Sequence, residues 1–281
     1  MKNNIQLHEV QDNIRTNYAS LSKRLKQVAQ YVLDNPQSIV FDTVATVAAK
    51  ANVPPSTLIR FANAFGFDGF NEMKQLFREH LMENTPNYLE RLHLSREING
   101  EDEDSVENVL NIFTYANSKA LQQLAAETKA DDLQLAITLL QNANNIFIVG
   151  LKRSFSVACY FDYALKHFGY NSFVINGLGG MFDEQLGQVR EGDVIVAISF
   201  APYAKETLDI LNATSKKGIK QIAITDSQIS PLLSFSDVSF VIKEAQVKGF
   251  RSQSVTMTLV QTLAIGLATE KEKLLALENK V

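Results

Sequence analysis

The first residues that suggest chemistry are SFAPYAKET, residues 199–207, which directly follow the apolar run DVIVAI at 193–198. Open α/β sheets bind their ligands at the join between a buried strand and the next helix. In this turn Tyr203 and Lys205 can donate hydrogen bonds to an anion, whereas Pro202 has no N–H to give. The aromatic ring also suggests a ligand with a flat or apolar part. The alternative is a turn that binds nothing.

An earlier turn of the same kind is GLKRSFS, residues 150–156, after another apolar run. Gly150 allows a close approach of the backbone, and Ser154 can cap the following helix or donate to an oxygen atom. Lys152 and Arg153 add positive charge to the partial positive charge of a helix N-terminus, which suits an anion. An ordinary exposed turn with two solvated cations is the alternative. A dinucleotide site is not expected, because that fingerprint needs three glycines and one is present.

Catalytic chemistry has weaker support. Aldose–ketose isomerisation needs acid–base groups to move a proton, and Glu184 and His167 are the candidates. Neither lies in a sequence pattern typical of a catalytic site. His167 also suits the C-terminal end of a helix. The single cysteine, Cys159, excludes an internal disulfide, and the four histidines show no spacing typical of a metal site. We therefore predict no catalytic residues, no metal and no cofactor, with a sugar-phosphate isomerase as the alternative.

Composition limits the class of protein. The 281 residues are 46% hydrophobic and 21% charged, enough to bury a core and long enough for two domains. No apolar stretch reaches the roughly 18 residues of a membrane span, and MKNNIQLHEV lacks the apolar core of a secretory signal, so a cytoplasmic protein is predicted. Net charge is −4, but residues 1–82 carry 9 basic and 7 acidic side chains, a balance of +2. That part of the chain can approach a phosphate backbone.

The second half of the chain has the pattern of a parallel sheet. Five short apolar runs alternate with stretches of helical length, namely NIFIVG (145–150), NSFVI (171–175), DVIVAI (193–198), QIAIT (221–225) and VSFVI (238–242). Nearly unbroken apolar strands indicate a sheet covered on both faces. Helical patterns at about 106–127 and 131–142 precede the runs, and a long helix follows them. The pattern predicts a doubly wound α/β domain with a five-stranded parallel sheet.

The first part of the chain predicts an all-α domain with a helix-turn-helix. In residues 43–70, TVATVAAKANVPPSTLIRFANAFGFDGF, two short apolar faces are separated by ANVP. Asn52 occupies the place where a tight turn needs a left-handed residue, and Pro54 and Pro55 fit a helix start. With the apolar side inward, Ser56, Arg60 and Asn63 share the outward face of the second helix, with Thr57 beside them. These residue types suit base edges and phosphates in a major groove, although a plain helical hairpin is the alternative.

Between these parts, the stretch MENTPNYLERLHLSREINGEDED is polar and ends in an acidic run. We interpret residues 83–104 as a linker containing a helical piece, with a solvated helix as the alternative. The predicted organisation is therefore a DNA-binding domain at 1–82, a linker at 83–104 and an effector-binding domain at 105–281.

The run ANVPPSTLIRFANAFGFDGFNEMKQLF resembles the signature of RpiR-type bacterial transcription regulators. Its pairs Arg60-Phe61, Gly66-Phe67 and Gly69-Phe70 stand as they do in that family. The segment from about Asn145 to Ala268 resembles a sugar isomerase (SIS) domain, the effector-binding half of those regulators. The two modules also follow one another in the family's order.

The resemblance implies a phosphosugar held at the strand–helix turns by backbone amides and Ser or Thr hydroxyls. Against the family pattern Ser-x-Ser-Gly-x-Thr-x-Glu, Ser199 and Glu206 match in this chain. The second Ser, the Gly and the Thr are replaced by Ala201, Pro202 and Ala204. The chain therefore either holds a phosphate differently, through Lys152, Arg153 and Lys205, or binds an unphosphorylated acid.

Two later features also resemble the family. In ITDSQISPL (224–232), Thr225 ends a strand at the effector edge, and Ser230-Pro231 opens a short helix. Asp226 is interpreted as a turn residue, with a polar contact as the alternative. In FRSQSV (250–255), Arg251 either meets an anion or lies at the surface.

Together these features predict a transcription regulator that senses a small anionic metabolite. Its expected partners are double-stranded DNA with a palindromic operator, the effector and further copies of itself in a homodimer or homotetramer, without a membrane. Residues 105–127 and the C-terminal helix are the candidates for the contact between copies.

Overall fold

The computed structural model describes residues 7–85 and 105–278, together with Glu90 and Leu94. The chain divides into two compact units between Asp104 and Ser105, except that Lys248–Phe250 are grouped with the first unit. Each unit has its own hydrophobic core. Most of the predicted linker at 83–104 lies outside the described residues. Within the described ranges, no helix is long and apolar enough to cross a membrane.

The first unit is entirely helical. Its helices are α1 Leu7–Asn17, α2 Lys23–Asp34, α3 Pro36–Phe41, α4 Val44–Lys50, α5 Pro55–Ala64 and α6 Phe70–Asn84. The apolar stripe of α2 faces the core, where Val28, Ala29 and Val32 are fully buried. Fully buried Leu58 and Phe61 of α5 belong to the same core. The predicted all-α domain is therefore confirmed, with periodicity deciding which helix faces turn inward.

The turn between α4 and α5 has the predicted form. Asn52 adopts a left-handed conformation with φ of 54°, which reverses the chain directly after α4. Val53 follows it into the core at 8% exposure, and its N–H donates to the carbonyl of Ala48 at 3.0 Å. Pro55 then begins α5. Proline suits a helix start because its missing N–H would have no partner within the helix.

The second unit alternates strands and helices. Its elements are α7 Val106–Glu127, α8 Ala130–Gln141, β1 Ile146–Gly150, α9 Phe155–His167, β2 Ser172–Ile175, α10 Phe182–Leu186, β3 Val194–Ile198, α11 Lys205–Ser215, β4 Lys220–Thr225, β5 Val238–Val241, β6 Gln246–Val247, β7 Phe250–Arg251 and α12 Ser254–Glu278. All five predicted strands are present, and they form the main sheet.

The main sheet is parallel throughout, in the order β2-β1-β3-β4-β5. Strand β1 lies beside both β2 and β3, with Gly150 aligned to Ile198. The strand residues divide between two hydrophobic clusters, one shared with α7, α8, α9 and α12 and the other shared with α11. This is the predicted doubly wound arrangement. The chain adds β2 on one side of β1 and then returns to add β3 on the other side, so the strand order reverses between β1 and β3.

A short hairpin, β6–β7, was absent from the sequence-based prediction. Its two-residue turn is Lys248-Gly249, with φ values of 49° and 73°. Two consecutive positive φ values are typical of the tight turns that fit the twist of a hairpin. The hairpin leads directly to α12, whose buried face includes Leu259, Leu263 and Leu267.

We predict that Asn52→Ala destabilises the first unit by about 1 kcal/mol, because a Cβ without a local polar group disfavours the left-handed conformation. This corresponds to a fall of about 4–8 °C in the melting temperature of a unit this size, measured by calorimetry on the full chain. Asn52→Gly is the matched control and should melt near the native temperature. Equal destabilisation by both changes would show that Asn52 acts through side-chain contacts instead.

Candidate functional site

Helix α5 presents a polar face to solvent. Ser56, Arg60 and Asn63 are all exposed, as predicted from their spacing. Ile59 lies on the same face and is 49% exposed. Ile59 was not among the predicted residues, although it lies three residues after Ser56 and four before Asn63 and so shares their face. The face therefore combines a cation, a hydroxyl, a carboxamide and an aliphatic side chain.

Thr57 is not on this face, which corrects the prediction. Its side chain is buried at 3% exposure beside Leu58. The reason is helical geometry, since Thr57 lies four residues before the fully buried Phe61 and therefore on the inward side of α5. Thr57 belongs to the core of the first unit.

Asn63 makes bonds within its own segment. With the carboxamide oriented so that both bonds form, its nitrogen donates to the carbonyl oxygens of Phe67 at 2.9 Å and Ile59 at 3.2 Å. A paired contact with an adenine edge uses the carboxamide nitrogen and oxygen together. Such a contact would require Asn63 to release these two carbonyls.

The two predicted ligand turns lie side by side at the carboxyl edge of the main sheet. Turn 150–156 follows β1 and turn 199–207 follows β3, and the ends of these strands are aligned through Gly150 and Ile198. Helices α9 and α11, which begin after the turns, pack on opposite faces of the sheet. An opening between diverging helices is where this class of sheet binds ligands.

Turn 199–207 is held by an internal carboxylate. The N–H of Ala201 donates to Oδ2 of Asp226 at 3.0 Å, and the hydroxyl of Tyr203 donates to Oδ1 at 2.9 Å. The guanidinium of Arg251 donates to Oδ2 at 3.1 Å, forming an ion pair in which the side chains of Arg251 and Asp226 are only 8% and 18% exposed. We call Tyr203, Asp226 and Arg251, with the N–H of Ala201, the Asp226 cluster.

The Asp226 cluster decides between the alternatives that the sequence left open for Asp226 and Arg251. Asp226 is the acceptor that ties turn 199–207 to the end of β4, rather than only a turn residue. Arg251 lies in the interior, with its guanidinium carbon 5.7 Å from the centre of the Phe200 ring, rather than at the surface. One signal was available for Asp226, because it follows a strand of the same parallel sheet and so reaches the same edge. Arg251 comes from the hairpin, which the sequence did not reveal.

The hydroxyl of Tyr203 is strongly affected by this setting. Burial and the neighbouring charge of Asp226 raise the pKa of Tyr203 from 10.0 to about 12. Both causes penalise the phenolate, because it would lose hydration and face another anion. The side chain therefore remains a hydrogen-bond donor across the range of pH in which proteins function.

The other predicted residues of this edge have internal partners. Lys205 pairs with Asp209 at 2.5 Å along the surface of α11, and its side chain is 85% exposed. Thr225 is fully buried and donates to Oγ of Ser230 at 2.7 Å. Ser199 is buried, and its N–H donates to the carbonyl of Ile224 at 3.1 Å.

Turn 150–156 carries two basic residues and no acidic residue in its own sequence. Lys152 is exposed with φ of 54°, Arg153 is half-buried, and Ser154 is buried at 6% exposure just before α9. A Cβ at Gly150 would lie 2.8 Å from the carbonyl oxygen of Ser154, so only glycine fits there without movement. The predicted close approach at Gly150 is therefore between two parts of the chain itself.

A carboxylate also caps the beginning of α12. Glu244 accepts the N–H groups of Val255 at 3.1 Å and Thr256 at 2.7 Å, as well as the hydroxyl of Thr256 at 2.6 Å. Gln253 bonds to the carbonyl oxygen of Arg153 and accepts the hydroxyl of Ser156 at 2.6 Å. The start of α12 is thereby fastened to turn 150–156.

The candidates for acid–base and metal chemistry are spread over the surface. Glu184 lies exposed on α10, and His167 is exposed at the end of α9, where it stacks on Tyr163 at 5.8 Å between ring centres. Burial and the charge of Asp162 raise the pKa of Cys159, which disfavours a reactive thiolate. Among the residues that the structure describes, no three His, Cys, Asp or Glu side chains are grouped to hold a metal ion.

Comparison with protein families identifies both units. Residues 8–84 match the helix-turn-helix domain of the rpiR family, and residues 139–269 match the SIS domain. These matches confirm the resemblance drawn from the sequence for both parts of the chain.

Several known proteins align with this chain across both of its parts. The bifunctional protein glk of Burkholderia mallei is 28% identical over 265 residues, which cover 92% of this chain but 40% of that protein, so the chain spans about two fifths of such relatives. An uncharacterized HTH-type transcriptional regulator of Clostridium perfringens is 22% identical over 246 residues, with coverages of 88% and 85%. The Vibrio vulnificus NanR protein complexed with ManNAc-6P superposes with a TM-score of 0.56 at 20% identity, with coverages of 94% and 93%. At this identity the structural likeness shows the fold alone.

We predict that Tyr203→Phe removes a titration near pH 12 from the ultraviolet absorption of the tyrosines. A tyrosine whose pKa is raised on folding stabilises the chain below pH 10, and this stability is lost as the pH rises from 10 to about 12. The native chain should therefore lose on the order of 1–2 kcal/mol more of its free energy of unfolding than Tyr203→Phe across that interval. Identical pH profiles for the two chains would contradict the assigned environment.

Proposed function

We propose that this chain, which joins a helix-turn-helix domain of the rpiR family to a SIS domain, is a transcription regulator that binds operator DNA through α5 and a small anionic metabolite at the carboxyl edge of its main sheet. The observation that carries the proposal is the joining of a DNA-reading module and a ligand-binding module in one chain. A metabolic enzyme has no evident use for the first module. We therefore propose a regulator without turnover of its ligand, acting in the cytoplasm.

The DNA contact is proposed for the exposed face of α5. Arg60 has the geometry to pair with a guanine edge, and Ser56 suits a phosphate or base near the start of the helix. Ile59 suits the methyl group of thymine, which is an apolar feature of the major groove. Asn63 would contact DNA after releasing its internal hydrogen bonds. Thr57 is left out of the proposed DNA contact because its side chain is buried.

We propose that the protein acts as a homodimer or homotetramer on a palindromic operator. Two-fold symmetric regulators place two recognition helices about one or more helical turns of DNA apart. Candidate contacts between copies are the exposed apolar side chains of α7, such as Leu110 at 65% and Tyr115 at 67%, and those of α12, such as Ile265 at 58%. The effector would act by favouring one spacing of the two DNA-binding units.

The anionic part of the effector is proposed to bind at turn 150–156. Lys152 and Arg153 both belong to this turn, and the N-terminus of α9 follows it directly. At turn 199–207, Lys205 and Arg251 are each paired with a carboxylate. A phosphosugar, as in the NanR complex, and an unphosphorylated sugar acid are the two effector classes that these positions accommodate.

We predict that Arg60→Ala weakens binding to the preferred operator by about 1–3 kcal/mol, a loss of roughly 5- to 150-fold. The operator is first selected from a random duplex library by the full chain, and affinities are then measured by fluorescence anisotropy at several salt concentrations. Lys217→Ala removes the same charge from the second unit and serves as the control. Selection of no preferred sequence, or equal losses for both variants, would contradict the proposed role of α5.

For the effector, we predict that an anionic sugar derivative raises the melting temperature of the full chain and that its neutral parent does not. At about 100 times its Kd, such a ligand adds roughly 2.7 kcal/mol to the stability of the folded state. The panel contains phosphosugars, their parent sugars and sugar acids. Arg153→Ala should reduce the shift, and Lys216→Ala should not. Stabilisation by the neutral parent sugars alone would contradict the proposal that the effector is anionic. Turnover of a phosphosugar would favour an isomerase.

A further inference from the structure

We propose that Asp226 is a built-in anion that excludes phosphate from turn 199–207, so that the part of the effector lying over this turn is uncharged. This inference rests on the proposed effector site and specifies which end of the ligand each turn receives. It makes Asp226 a specificity-determining residue of that site.

Three donors at the turn are already engaged. The N–H of Ala201 and the guanidinium of Arg251 both donate to Oδ2 of Asp226, while the hydroxyl of Tyr203 donates to Oδ1. This set of a backbone amide, a hydroxyl and a guanidinium is what a phosphate would require. A carboxylate that accepts all three has the charge and the acceptor geometry of a bound anion, so Asp226 stands in the place of the ligand.

The first positions of the turn add few backbone donors. The N–H of Ser199 donates to the carbonyl of Ile224 in continuation of the sheet, and Pro202 has no N–H. Three of the four positions from 199 to 202 therefore present no available backbone donor. A Ser-Gly sequence at 201–202 would supply the amide and hydroxyl that Ala201-Pro202 lacks.

The charges around the turn also oppose a phosphate. Arg251 is paired with Asp226, and Lys205 is paired with Asp209 at 2.5 Å. Glu206 adds a negative charge in the first turn of α11, where it interacts favourably with the helix dipole. By their own sequences, turn 199–207 has no net charge, with Lys205 and Glu206, whereas turn 150–156 has two basic residues and no acidic residue. A dianion is therefore less favoured at turn 199–207 than at turn 150–156.

Inorganic phosphate provides the test. Its binding is measured by isothermal titration of the full chain carrying Lys152→Ala and Arg153→Ala, so that turn 150–156 does not contribute. Adding Asp226→Asn is expected to tighten phosphate binding about tenfold or more, because it removes a like charge from the turn and a carboxylate that competes with phosphate for the guanidinium of Arg251. Asp226→Ser, with a smaller neutral side chain, should behave in the same way. Near-UV circular dichroism confirms that each variant is folded.

Two controls test whether the gain in phosphate binding arises at the Asp226 cluster. Asp209→Asn removes an equal charge from the surface of α11 and should leave phosphate binding unchanged. Arg251→Ala combined with Asp226→Asn should abolish the gain. A folded Asp226 variant with no gain, or an equal gain from Asp209→Asn, would overturn the proposal.

A measurement on the native chain applies even when the variants fail to fold. Phosphate added to the ¹⁵N-labelled native protein should leave the amide signal of Ala201 unmoved, because that N–H remains bonded to Asp226. A saturating shift of this signal would overturn the inference. Neither assay contains DNA, so failure of operator binding would count against the regulatory function and leave the result for Asp226 intact.

Discussion

The parallel pairing of β1 with β3 is the constraint on which the second unit depends. Because both strands run in the same direction, their carboxyl ends meet at one edge, with Gly150 beside Ile198. Their helices leave this edge toward opposite faces, since α9 and α11 belong to different hydrophobic clusters. Residues almost 50 positions apart in sequence thus become neighbours. The same edge receives the end of β4, which brings Asp226 within reach of turn 199–207.

Two carboxylates of the chain itself satisfy donors around this edge. Asp226 holds turn 199–207, and Glu244 caps the beginning of α12. Buried or partly buried donors are costly to leave without partners, so each internal carboxylate stabilises the segment that it joins. The same arrangement has a consequence for recognition. Three donors that a ligand could use in an open turn are here bonded to a carboxylate of the protein itself.

In the first unit, a single turn fixes the orientation of α5. A left-handed Asn52 turns the chain, Val53 enters the core, and α5 is fixed with one face inward. The residues of its outer face are then determined by a rotation of about 100° per residue. This rotation explains both the exposure of Arg60 and the burial of Thr57. A difference of three positions along one helix separates a side chain available to a partner from one that packs in the core.

The sequence by itself determined the elements and the class of each unit. Periodicity near 3.6 located the helices, five apolar runs located the strands, and the order of the two modules indicated a regulator. These features are local, since each depends on residues within one segment and its neighbours. Ser56, Arg60 and Asn63 were placed correctly on the outer face of α5 for the same reason.

Only the tertiary structure decided the partners of the polar side chains. Tyr203, Asp226 and Arg251 come from three different segments, and the last follows a two-stranded hairpin too short to show a pattern. Lys205 looked available for a ligand, yet Asp209 lies one helical turn away and pairs with it. Periodicity specifies which face a side chain occupies but not which charge it meets. That choice depends on distances between segments, which arise only when the sheet has brought them together.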